Sequence, residues 1–213
     1  MQAKKQALIR DNRRCLLSGV ADANSYYADS LFRQEVNANP PAGGVDLTEC
    51  CHIIPQNINN ATRGEAVVQE ASSTILSVLE RFGGINQQEL LGSNIHSLRN
   101  ALTLRSGIHK NFDRLDIWLD PVEDQPHTYR IGRRSPLVCV GVPAFVTFES
   151  TSPNLELPDR RYLALHASCA KVLHLSGATT FADSIIREIE CTKVLSQDGS
   201  SVPLLDYLLP LTL

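Results

Sequence analysis

Residues 100–119 read NALTLRSGIHKNFDRLDIWL, and a change of rhythm inside them decides the fold. Residues 101–104 form a short apolar run with strand character. Ser106 is placed as an N-cap, GIHKNFDRL predicts a short helix, and another strand is expected around residues 117–119. Upstream, the Pro- and Gly-rich stretch NANPPAGG (37–44) is a loop that delivers the chain into VDLTECCHIIP (45–55), read as one strand ended by Pro55. Between the strands, residues 65–84 place Val67, Val68, Ala71, Ile75, Val78, Leu79 and Phe82 at helical spacing and stop at Gly83 and Gly84. The last third carries two further helical patterns, one between Pro158 and Gly177 and one in residues 180–201. Leu163, Leu173, Ile185, Ile186 and Ile189 offer the packing surface of a helical hairpin.

The chain has 213 residues, 43% hydrophobic and 20% charged, enough to bury a core without a disulfide or metal staple. We expect a core in residues 1–150, with a helical insertion at about 56–99, and a C-terminal helical segment, 151–213, packed on it. The formal net charge of −3 excludes a polycation drawn to any nucleic acid, so such binding would need a local basic patch. Three groups qualify: Lys4, Lys5, Arg10, Arg13 and Arg14; Arg99, Arg105, Lys110 and Arg114; and Arg130, Arg133 and Arg134. The N-terminal residues lack the apolar core of a secretory signal, and the longest apolar run, PLVCVGVPAFVTF (136–148), is too short and proline-rich to span a bilayer. The expected location is intracellular, nuclear or cytoplasmic, without a membrane. Six cysteines show no CxxC spacing and read as buried thiols.

The residues that could carry chemistry follow one another in order. His52 ends a strand, Asn100 begins another, and His109 and Asp113 share one face of the next helix, at the spacing that grips one metal ion. His166 and His174 lie eight residues apart on a helix, too far to chelate one ion, and His96 and His127 have no partner visible in the sequence. A nucleophilic Cys51 served by His52 is disfavoured, because adjacent strand residues point to opposite faces.

The series CHIIPQ (51–56), Asn100, His109 and the Phe112–Asp113 pair resembles the HNH nucleases, whose ββα-metal motif is a strand, a strand and a helix. The HIIP box, the insertion before NALTL and the closing LPDRRYLALHASCAKVLHLSGA are similar to a fungal HNH family, and the likeness runs from RDNRRCLLSG (10–19) to VLSQDGSS (194–201). The resemblance implies an α+β fold and a metal-dependent endonuclease acting on nucleic acid, DNA first, with products ending in 5′ phosphate and 3′ hydroxyl. It makes His52 the general base, Asn100 the brace of the loop between the strands, His109 the metal-binding histidine and Asp113 a second helical ligand of one divalent ion (magnesium, manganese or zinc). Where many relatives carry aspartate or histidine just before the base, this chain has Cys51. Either Cys51 or Glu49, on the same side of the strand, could complete the site. A thiolate favours zinc, and Glu49, the preferred ligand, also suits magnesium or manganese. Arg105, Lys110 and Arg114 flank the site and are assigned to substrate phosphates. Two rivals stand beside the nuclease: a catalytically weak HNH-fold binding or regulatory protein, and a zinc-stapled interaction domain.

Overall fold

The computed structural model describes residues 2–56 and 77–176. An N-terminal helix, Gln2–Arg10, precedes β1 (Ala21–Asp22), and two short helices follow, Ala23–Ala28 and Ser30–Ala38. Each of these two begins on an aspartate whose carboxylate takes backbone N–H groups of the first turn: Asp22 from Ser25, Asp29 from Leu31 and Phe32. β2 (Val45–Asp46) pairs in parallel with β1. The single strand expected over 45–55 is therefore divided, because the Asp46 carboxylate takes the N–H of Leu47 and the chain changes sheets there.

β3 (Thr48–His52) and β4 (Ala101–Arg105) form the antiparallel pair at the centre of the molecule, Thr48 opposite Arg105 and His52 opposite Ala101. The helix Ser106–Asp113 follows β4 without a break. Ser106 is its first residue rather than its N-cap. Arg105 takes the cap position with no side-chain bond, and the Ser106 hydroxyl is given to Glu49 instead. The helix buries Ile108 and Phe112, four apart, which turns the neighbouring pair His109 and Asp113 toward the open side. It ends where Leu115 N–H bonds Phe112 O and Asp116 N–H bonds Asn111 O, with Leu115 at φ 61°.

β5 (Ile117–Pro121), β6 (Thr128–Arg133) and β7 (Phe145–Thr147) build a separate antiparallel sheet. Of the helix expected in the insertion, residues 77–83 are described and helical. Three short 3-10 turns, Gln87–Glu89, Gly92–His96 and Leu98–Asn100, lead from there to β4. The helix expected after Pro158 spans Arg160–Leu175 and is capped by Asp159. The second helix of the expected hairpin, with Ile185, Ile186 and Ile189, lies outside the described residues.

Cys51, Leu102 and Leu104 of the central pair, Ile108 and Phe112 of the helix, Ile117 and Leu119 of β5, and Tyr162, Leu163 and Leu165 of the C-terminal helix share one core. The two histidines of that last helix serve packing. The His166 ring stacks on Phe112, centroids 3.8 Å apart, and its Nε2 donates to Phe112 O, while His174 Nε2 donates to Leu115 O. Burial pushes the pKa of His166 down to about 4, so the ring is neutral in the folded protein. Together they fasten the C-terminal helix to the helix that carries His109.

Candidate active and metal site

The site grows from the two strands and the helix. Cys51 is fully buried and Glu49 partly exposed, both on the side of β3 that faces the helix. The thiol of Cys51 points at Asp113 Oδ1 (3.7 Å), and His109 Nε2 lies 3.2 Å from Asp113 Oδ2. One donor atom from each of Cys51, His109 and Asp113 lies within 4.8 Å of the others.

These donors suit the divalent ion that the sequence leads one to expect. Imidazole, carboxylate and thiolate on one small volume are a set that zinc accepts more readily than magnesium, which prefers oxygen alone. Burial and the Asp113 carboxylate raise the Cys51 thiol far above its ordinary range, so without metal it is protonated. The bond to Asp113, with that to Glu49, outweighs burial and raises the pKa of His109. A metal taking these donors would displace both protons.

Glu49, the oxygen ligand preferred from the sequence, lies outside this group. Its Oε2 is 2.6 Å from Nδ1 of His109, and its Oε1 accepts from the Ser106 hydroxyl at 2.8 Å. Two residues back along β3 place it some ~7 Å from Cys51, opposite the first turn of the helix and the near edge of the imidazole. The bonds from His109 and Ser106 hold its carboxyl below the usual range. A carboxylate on one imidazole nitrogen, with the metal-facing nitrogen opposite, is the arrangement that orients metal-binding histidines.

His52 stands at the end of β3 and shares with His109 and Asp113 a cleft of about 710 Å³ whose apolar side includes Ile53, Ile54 and Leu165. Its pKa is lowered, first by burial and then by His96 and His109, which keeps the ring in the neutral form that can take a proton. Asn100 is fully buried. Its Oδ1 accepts from Ile54 N–H (2.8 Å), and its Nδ2 donates to Ile54 O and Ile95 O (2.9 Å each).

Of the three residues assigned to phosphates, Lys110 is exposed beside His109. Arg105 lies 3.9 Å from the Asp46 carboxylate, and Arg114 lies 3.5 Å from that of Asp116. Sequence reasoning missed His96. Its Nδ1 is 3.2 Å from Nε2 of His52, a contact between a strand end and a 3-10 turn for which no periodicity gives a signal.

Residues 15–120 match the family model of HNH endonucleases, which takes in the central strand pair and the helix with every candidate ligand. Through these residues the chain belongs to the HNH endonuclease family. No curated protein and no solved structure matches it. Membership brings with it a nuclease-type action on nucleic acid and a divalent metal in general terms, and the Cys51, His109 and Asp113 group is the candidate seat of that ion. No helix among the described residues is long and apolar enough to cross a membrane.

Proposed function

We propose that this HNH protein is an endonuclease that hydrolyses phosphodiester bonds in DNA, with His52 taking the proton of the attacking water and one divalent ion held by Cys51, His109 and Asp113. The observation that carries the reading is the shared cleft: a neutral imidazole at the strand end opens onto the same space as His109 and Asp113, whose donor atoms converge with that of the buried Cys51. The ion, when bound, would supply positive charge for the phosphate oxygens as negative charge develops. Glu49 holds the His109 ring in place, and Asn100 braces the loops on either side. Lys110 reaches the phosphates directly, and Arg105 and Arg114 do so by leaving their carboxylate neighbours. Contacts of this kind fix the backbone without reading bases, so cleavage is expected with little sequence preference.

Plasmid nicking with magnesium, manganese or zinc, beside His52→Ala and His109→Ala purified in the same way, tests the proposal. Nicking should require metal and fall by roughly two to four orders of magnitude without His52, and it should vanish without His109. One observation favours a second reading, a nucleic-acid-binding protein of weak catalysis: the ligand beside the base is a buried, protonated thiol. Equal nicking by all three proteins, or none by any, would select it.

A further inference from the structure

We infer that His96 is a positioning residue for His52, holding the ring in the tautomer that leaves Nδ1 open to water; this rests on the reading of His52 as the base. His96 ends the 3-10 turn Gly92–His96, and its ring meets that of His52 edge-on, centroids 5.3 Å apart and planes inclined by 70°. The Nε2 to Nδ1 separation of 3.2 Å is a hydrogen bond, so one of the two nitrogens carries the hydrogen.

If His96 donated, His52 would carry its own hydrogen on Nδ1 and have no lone pair for water. With His52 donating from Nε2, the lone pair on Nδ1 remains. Gln56, an exposed side chain, brings its amide nitrogen to 3.0 Å from Nδ1 and 3.4 Å from Nε2, so it lies over the ring and does not occupy the in-plane lone pair of Nδ1. In the reaction the water proton goes to Nδ1, the hydroxide oxygen bonds to phosphorus as the P–O3′ bond breaks, and the 3′ oxygen leaves with that electron pair and takes a proton from solvent. Nε2 keeps its hydrogen throughout, and its bond to His96 becomes charge-assisted.

The geometry is built rather than incidental. Asn100 binds Ile54, two residues after His52, and Ile95, the residue before His96, with the two ends of one buried amide. The loop carrying His96 is thus clamped to the end of β3, and the pair of rings is set by the fold.

The test uses the full chain with His96→Leu, which removes the acceptor, and His96→Asn, whose Oδ1 restores one near the position of Nδ1. On plasmid at saturating metal, His96→Leu should lower kcat by about 10- to 100-fold, taking the size of effect known for groups that orient metal-binding imidazoles as the guide, and leave KM unchanged. His96→Asn should recover most of the loss, and neither change should alter the melting temperature, because His96 is exposed. Nitrogen-15 spectra of the imidazoles give a readout independent of activity: hydrogen on Nε2 of His52 in the wild type and in His96→Asn, and a tautomer mixture in His96→Leu. Hydrogen on Nδ1 in the wild type, no rescue by asparagine, or loss of bound metal in His96→Leu would overturn the assignment. Undiminished nicking by His52→Ala would instead remove the base reading, while the spectra still decide how the two rings are joined.

Discussion

Cys51 is the residue on which the character of the site turns. It is buried against a carboxylate and protonated without metal, so its ligation must show as a proton released and a sulfur bond formed. Cobalt titrated into the metal-free protein should produce a thiolate-to-metal charge-transfer band, absent in Cys51→Ala, and calorimetry in buffers of different ionisation enthalpy should register about one proton fewer released by the variant. No band in the wild type would return the thiol to the role of a core residue. His109 and Asp113 were legible in the sequence because helical spacing alone sets them on one face. Alternation put Glu49 and Cys51 on one side of a strand but could not say that Glu49 would meet the first turn of the helix and Cys51 the last, since that depends on the register of packing.

At the scale of elements, Asn100 is what makes two strands and a helix into a site. Its three bonds are all to backbone groups of the loops that follow β3 and precede β4, and its side chain has no access to water. Asn100→Ala should leave Ile54 and Ile95 groups unpaired and cost about 3 kcal/mol, read as a lower urea midpoint at unchanged slope. A midpoint equal to that of the wild type would mean that the loops find other partners. The strand, helix, strand order of residues 101–119 could be read directly, because each element is short and its period is undisturbed. The split at Leu47 could not, since a single side-chain bond from Asp46 interrupts a run whose apolar pattern continues. β6 and β7 went unread for different reasons: β6 alternates, with Tyr129 and Ile131 buried between polar or small neighbours, but over only two buried positions, and β7 is three residues long with none buried, held by its pairing with β6.

Among the described residues, two ionic knots, one buried and one partly exposed, hold distant segments around the central pair. Arg10, fully buried with Asp11, donates to the carbonyls of Leu98, Ala101 and Glu156, so the N-terminal helix, β4 and the approach to the last helix meet at one guanidinium. Asp159 caps the C-terminal helix and is bonded by Arg161 and Arg99, the residue just before Asn100. Burial works to raise the pKa of Asp159, and these bonds outweigh it, leaving the carboxyl below its ordinary 3.8. A carboxyl lowered on folding stabilises above the unfolded pKa and loses that contribution as pH falls through the folded value. Asp159→Asn keeps a good helix cap, so it should cost about 2 kcal/mol near neutrality, and the difference from the wild type in thermal melting should close below pH 3.8. A difference independent of pH would show that the charge is not what matters.

The central strands are joined by the entire stretch from residue 53 to residue 100. At equilibrium so wide a loop costs little, since each doubling of length adds only about 0.6 kcal/mol. Time is affected more than stability, because pairings between segments remote along the chain form slowly. Folding of a newly made or refolding molecule should therefore be slowed by the pairing of its two central strands. Since that pairing brings Cys51 to His109 and Asp113, the capacity to capture metal should appear no sooner than the central pair itself.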